Sequence, residues 1–267
     1  MNITIDPSVI KSELEKSITK KELYMEYQPK INIVEGKVAG SEALIRWKHP
    51  IFGNVPPAKF IPFACEHNLD HKIMEYVVDS VCEQVKQWHK DKVPVSNISF
   101  NLSPKSFLNS KLVNKITAIF NKHELSTEFF EIEITEEAIL QRPDLVHQQF
   151  SQLKDLGFKI TLDHLGIGDA SFSRLTEYPF DTIKIDRSYI RDIDRSYDSR
   201  YIVKSFIEIC KRIGKKVAAE GVENKEQLMI LKELDCDEIQ GFYYSPSIPG
   251  DEMAKWYEME RVVVNSF

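Results

Sequence analysis

Acid, amide and amine side chains close a series of short β-branched runs in this chain. Glu42 sits inside one run, Asn101 ends the next, Glu133 lies near the end of a third and Asp163 ends a fourth. Lys184 and Asp186 end a fifth, Glu220 a sixth and Gln240 a seventh. Five carboxylates and an amide oxygen cannot converge in one cleft without a counter-charge. Either several are protonated or cations sit among them. An oxygen-rich set suits Mg2+ or Mn2+ rather than zinc. A lysine within it can orient a nucleophilic water or stabilise phosphoryl oxygens. A lone acid after a strand is ordinarily a helix cap or a solvated loop residue, and Asp181, Asp192 and Asp194 are read that way. His67, His71, His89, His123 and His147 read as surface or packing residues on or beside helices. His164 differs, because it follows Asp163 where the acids gather.

The elements that must position these groups alternate. Strands are predicted at 24–33, 40–47, 95–101, 129–135, 159–163, 182–186, 216–220 and 238–240. Amphipathic helices are predicted between most of them. Ile73, Val77, Val81, Val85 and Trp88 line one face of a helix over 72–89. Ile202, Phe206, Ile209 and Ile213 form the expected apolar stripe of a helix over 198–213, with Gly214 as its stop. A helix over 143–156 ends at Gly157 in the same way. Residues 1–20 read as a helical lead-in and the last dozen as a terminal helix. Strand followed by helix implies parallel strands, and eight strands suggest a closed α/β barrel, with active sites at the strands' C-terminal mouth. An open doubly wound sheet is the alternative, but no GxGxxG or P-loop follows any strand. Only a few residues join the first two strands, too few for a parallel crossover. The first strand is therefore expected to run antiparallel to the second. No domain boundary is evident, so one domain is expected over residues 1–267.

The chain has 267 residues and a net charge of −6, which argues against a DNA or RNA polymer or an anionic membrane as partner. No apolar run approaches the ~18 residues of a membrane span, and the first twenty residues lack the apolar core of a secretory signal. Cys65, Cys82, Cys210 and Cys236 are far apart and lie in segments read as helical and apolar. Buried thiols in a reducing cytoplasm are the expectation.

Seven motifs in order resemble the EAL domain, the cyclic-di-GMP phosphodiesterase family of bacterial signalling. They are Tyr27-Gln28-Pro29, Glu42-Ala43-Leu44 with Arg46, Asn101-Leu102-Ser103-Pro104, Glu133-Ile134-Thr135-Glu136, Lys184-Ile185-Asp186, Ala219-Glu220-Gly221-Val222-Glu223 and Gln240-Gly241. The resemblance implies a modified TIM-type (β/α)8 barrel with its first strand reversed. It also implies hydrolysis of cyclic di-GMP to linear pGpG with two divalent ions, Mg2+ or Mn2+. By position, Glu42, Asn101, Glu133 and Asp163 would hold one ion, and Asp163 would bridge to the second. Lys184, Asp186, Glu220 and Gln240 would position the attacking water, with Glu220 as general base. Gln28 and Arg46 would contact the nucleotide, Glu136 would anchor the loop after the strand at 159–163, and Glu223 would support the site. The family often dimerises through the later helices of the barrel, so a homodimer is also implied.

The loop after Asp163 departs from the family's usual DDFGTGYSS. Here it reads Asp163-His164-Leu165-Gly166-Ile167-Gly168-Asp169-Ala170-Ser171. His164 replaces the second aspartate, a ligand of the second metal. Neutral imidazole removes a negative charge and weakens Mg2+, whereas Mn2+, Fe2+ or Zn2+ accept it. Three readings stay open: an active enzyme with an altered second metal, a receptor that binds cyclic di-GMP and cleaves it slowly or not at all, and a protein-interaction module. The other motif positions are retained, which favours the first. An enolase-type barrel also gathers acids and lysine but does not account for the ordered motifs.

Overall fold

The computed structural model describes residues 7–20, 22–165 and 174–262. In chain order the elements are α1 (Pro7–Lys20), β1 (Leu23–Asn32), β2 (Lys37–His49), β3 (Gly53–Val55), α2 (Pro57–Glu66), α3 (Asp70–Lys90), β4 (Ile98–Asn101), α4 (Pro104–Phe107), α5 (Leu112–His123) and β5 (Phe130–Thr135). There follow α6 (Glu136–Leu140), α7 (Pro143–Asp155), β6 (Lys159–Leu165), α8 (Arg174–Glu177), β7 (Thr182–Ile185), α9 (Arg187–Ile190), α10 (Tyr197–Arg212), β8 (Lys216–Glu220), α11 (Lys225–Glu233), β9 (Glu238–Gln240) and α12 (Gly250–Tyr257).

Eight strands close into a barrel in the order β1-β9-β8-β7-β6-β5-β4-β2, sealed by the pairing of β1 with β2. Strands β2 and β4 to β9 run parallel, and β1 runs antiparallel to both neighbours. The short connection dictates that reversal. The Asn32 side chain accepts the backbone N–H groups of Val34 and Glu35, and Gly36 turns the chain at φ +65°.

The ninth strand, β3, was not among those expected. It pairs antiparallel with the far end of β2, outside the barrel ring. Its Gly53-Asn54-Val55 sequence carries little strand preference of its own. The buried His49 ring accepts the N–H groups of Ile51 and Phe52 at Nδ1, which shapes the turn that brings β3 back.

On α3 the expected stripe from Ile73 to Trp88 is buried. Trp88 donates to the Gly250 carbonyl and packs edge-on against Tyr27. On α10 the buried face is Val203, Phe206, Ile207 and Cys210; of the expected stripe Phe206 is buried and Ile213 packs against the core, whereas Ile202 and Ile209 are exposed. Both sets satisfy helical spacing, and the barrel contact selects the one centred on Phe206. Two further expectations need correction. Cys236 lies between α11 and β9, not in a helix, and is buried with its thiol toward the Val217 carbonyl. Among the described residues the last helix is α12, which ends at Tyr257 and leaves residues 258–262 outside it; the remainder of the expected terminal helix, residues 263–267, lies outside the described residues.

Close approach fixes one glycine. A Cβ on Gly241 would lie 2.2 Å from the Val222 carbonyl oxygen and 2.3 Å from its nitrogen. That contact seats the exit of β9 on the exit of β8, where Glu220 and Gln240 are partners in register. Gly241→Ala is expected to destabilise the fold by about 3 kcal/mol, the upper end of overpacking costs, measured by urea unfolding.

Candidate active site

Register brings the polar residues to one end of the barrel. Gln28 pairs with Glu42, Asn101 with Glu133, Thr135 with Asp163 and Glu220 with Gln240. Residues two apart on a strand share a face, so these inward positions form a layer, with Lys184 among them.

Lys184 is the hub. Its buried ammonium lies 2.5 Å from Glu220 Oε1, 2.6 Å from Glu133 Oε2, 3.1 Å from Glu42 Oε2 and 3.6 Å from Asp163 Oδ1. Glu42 is fully engaged: Oε1 accepts from Asn101 Nδ2 at 2.6 Å, and Oε2 accepts from Gln240 Nε2 at 2.8 Å as well as from Lys184. Gln240 Nε2 also donates to Gln28 Oε1, which ties the reversed first strand to the last.

Four carboxylates around one ammonium leave excess negative charge. Burial opposes the charge on Lys184, but Asp163, Glu133, Glu220 and Glu42 together hold it protonated well above the ordinary lysine range. Burial likewise works against the Glu42 anion, but Lys184 together with the hydrogen bonds from Gln240 and Asn101 holds that carboxyl below its usual range. Glu220 goes the other way: burial, with Asp163 and Glu42 beside it, pushes its carboxyl up to about 7. Among the described residues, ligand atoms of Asp163, His164 and Glu220 lie within 4.8 Å of one another. Oxygen donors in excess of their counter-charge, joined by one imidazole, fit divalent cations of the Mn2+ type.

Successive strand residues ordinarily point to opposite faces, yet Asp163 and His164 both reach the cluster. The β6–β7 register breaks between Leu162 and Leu165, and His164 adopts φ +60°. Such an irregularity re-aims side chains beside active sites, and histidine is among the non-glycine residues that tolerate the left-handed region. The His164 ring then donates from Nδ1 to Asp186 Oδ2 at 2.8 Å, with Nε2 3.4 Å from Asp163 Oδ2. Burial works against a proton on this ring, and Asp163, Glu220 and Asp186 overcome it, raising its pKa. Asp186 also caps α9, accepting the Ser188 N–H at 2.8 Å. Residues 166–171 of the substituted loop lie outside the described residues.

Arg46 stands half-buried beside this layer, its guanidinium held by Glu26 Oε2 at 2.8 Å and Ser247 Oγ at 2.7 Å. It borders a cavity of about 540 Å3, whose walls include Leu44, Ile61, Met74, Asn101 and Asp70. Glu136 is buried at the start of α6, directly after β5. Glu223 is not drawn into the cluster: it is exposed, and its backbone N–H donates to Gln227 Oε1 in the cap of α11.

Sequence reasoning missed a second charged layer beneath the first. Lys30 is buried with its ammonium 2.9 Å from Glu131 Oε2, 3.0 Å from Ser99 Oγ and 3.4 Å from Glu133 Oε1. Asn97 and Thr161 also donate to Glu131. The signal lay in the alternation: Lys30 shares a strand face with Gln28, and Glu131 with Glu133. Although burial opposes it, Lys30 with these hydrogen bonds holds Glu131 at about 2, below the usual 4.5. A carboxyl depressed in the native state stabilises it fully above pH 4.5, and that contribution is lost as pH falls toward 2. A pH unit corresponds to about 1.4 kcal/mol, so the expected loss is about 3 kcal/mol. It is measured as the part of the acid destabilisation that a Lys30→Met/Glu131→Leu variant no longer shows.

A reversed-strand β/α barrel with an acidic, lysine-centred mouth defines the class. The chain belongs to the EAL domain family, which matches residues 11–247. An uncharacterized signaling protein of Caulobacter vibrioides is 36% identical over 91% of this chain and 30% of its own length. The bifunctional diguanylate cyclase/cyclic di-GMP phosphodiesterase MucR of Pseudomonas aeruginosa is 31% identical over 90% of this chain and 35% of its own. The chain thus spans about a third of the length of these curated relatives. A solved structure of the PaMucR phosphodiesterase in complex with c-di-GMP superposes with a TM-score of 0.87 at 30% identity, covering 92% of this chain and 99% of that one. No helix among the described residues is long and apolar enough to cross a membrane.

Proposed function

We propose that this protein is a metal-dependent phosphodiesterase that hydrolyses cyclic di-GMP to linear pGpG in the cytoplasm. The observation that carries the proposal is the convergence of Glu42, Glu133, Asp163 and Glu220 on Lys184 at the mouth of an EAL barrel. Glu42, Asn101, Glu133 and Asp163 would hold one divalent ion and Asp163 and His164 a second, and these would polarise the phosphoryl oxygens and acidify water. Water adds its oxygen to phosphorus, one ribose oxygen departs, and the two protons of water end on Glu220 and on that oxygen. Glu220, beside that water, is the general base of this scheme. Lys184 offers its ammonium to charge developing on the phosphoryl group. Gln240 and Asn101 hold the Glu42 carboxylate in place. Arg46 and Gln28 face the nucleotide, and the cavity beside Arg46 receives one nucleoside half.

His164 supports a second reading, a receptor that binds cyclic di-GMP with little cleavage. The deciding experiment follows cyclic di-GMP and pGpG with purified protein in Mn2+ and in Mg2+. Turnover is expected in Mn2+ and weaker turnover in Mg2+, because imidazole is a poor ligand for Mg2+. Tight nucleotide binding with no turnover in any divalent metal would establish the receptor instead. His164→Asp is expected to raise Mg2+-supported turnover by about tenfold, the scale on which ligand surroundings tune metal sites. No gain would move the cause to the substituted residues of the loop.

A further inference from the structure

Glu133 is gripped by two lysines. Its side chain is fully buried, with Oε2 2.6 Å from Lys184 and Oε1 3.4 Å from Lys30. Lys30 reaches that oxygen from below because β1 runs antiparallel to the strands around it. Gln28 meets Gln240 at the mouth, and Lys30, two residues further along β1, lies one layer deeper beside Ser99 and Glu131. The fold itself does not require this layer to be charged. Interior layers of such barrels are ordinarily filled by branched apolar residues, and replacing a buried ion pair with packed apolar side chains is often neutral or stabilising. The deep lysine therefore calls for an account in what it touches above.

We propose that Lys30 is a positioning residue for Glu133. It pins Oε1 from beneath, so that only Oε2 can turn from Lys184 to a divalent cation. Glu131 serves to neutralise Lys30 and does not itself face the cation. This inference rests on the reading of Glu133 as a metal ligand, and its test is run without nucleotide.

The test is Mn2+ titration followed by electron paramagnetic resonance, with thermal melts in EDTA to confirm folding. Lys30→Met/Glu131→Leu removes the pair without stranding a charge. It is expected to melt close to the wild type in EDTA yet bind Mn2+ at least tenfold more weakly. Glu131→Gln and Lys30→Arg each keep a cation under Glu133 and are expected to stay within threefold of wild-type affinity. Wild-type affinity in the double variant would overturn the proposal. So would a tenfold loss in Glu131→Gln, which decides the matter even where the double variant fails to fold. A wild type that binds no Mn2+ would instead overturn the metal reading. Cyclic di-GMP turnover adds a second readout: the double variant should lose kcat with KM unchanged, because Lys30 acts through a ligand and not on the nucleotide.

Discussion

Glu42→Ala is expected to lower Mn2+-supported cyclic di-GMP turnover by at least about a thousandfold, since loss of a group that merely orients a metal ligand costs 10–100-fold and Glu42 is placed as a ligand itself. The carboxylate is the meeting point of three donors, Asn101, Gln240 and Lys184. Its removal frees the two amides that fix the edge of the cluster and takes one anion from the proposed ion site. Lys184 would still face Glu133, Asp163 and Glu220, so the ammonium is not stranded and the variant should fold. Glu42→Gln separates charge from shape, because it keeps the volume and loses the anion. Both variants should be inactive while melting within a few degrees of the wild type in EDTA. Retained turnover in either would refute the assignment of Glu42.

Lys184→Met reads the opposite quantity, the stability of the metal-free protein. It leaves Glu42, Glu133, Asp163 and Glu220 packed together with no ammonium between them. Removing one partner of a buried ion pair costs about 3–5 kcal/mol, and a loss of about 4 kcal/mol is expected at pH 7 in EDTA. Its pH dependence has a definite sign. Carboxyls crowded together have raised native pKa values, so the folded variant binds more protons than the unfolded chain. The deficit should therefore shrink as pH falls toward 5 and grow as pH rises. Mn2+ should recover part of it, because a cation again sits among the anions. A variant that unfolds like the wild type at pH 7 in EDTA would show that Lys184 does not neutralise the cluster.

The fold was legible where local sequence and tertiary contact agree. The reversed first strand followed from a connection too short for a crossover, and the register of β1 with β2 shows that pairing. Strand β3 was illegible because its pairing depends on a turn closed by His49, not on its own three residues. On α10 two faces had helical spacing, and only the barrel contact distinguishes Phe206 with Val203 from Ile202 with Ile209. At the site, Glu42, Asn101, Glu133, Asp163, Lys184, Glu220 and Gln240 stand together because each closes or lines a strand at the same end. His164 joins them through a break in register that alternation alone does not reveal. Glu223 does not join them, since after Gly221 the chain has turned outward to begin α11. Lys30 and Glu131 do not close strands at the mouth, and the reversed strand carries its lysine inward, so strand ends alone do not mark them.

The junction of β1 with β9 makes the barrel wall uneven. Two residue pairs join those strands, Ile31 with Ile239 and Asn32 with Glu238, against ten between β1 and β2. Contacts made later in the chain reinforce the same line: Tyr27 exchanges two backbone hydrogen bonds with Ile248, and Gln28 meets Gln240. An opening confined to this line would be a local one. Parting would pull Gln28 off Gln240 and slacken the amide that steadies Glu42. Strand β1 and the segment after β9 thus work as one latch, and whatever loosens it reaches the site through Gln28 and Gln240.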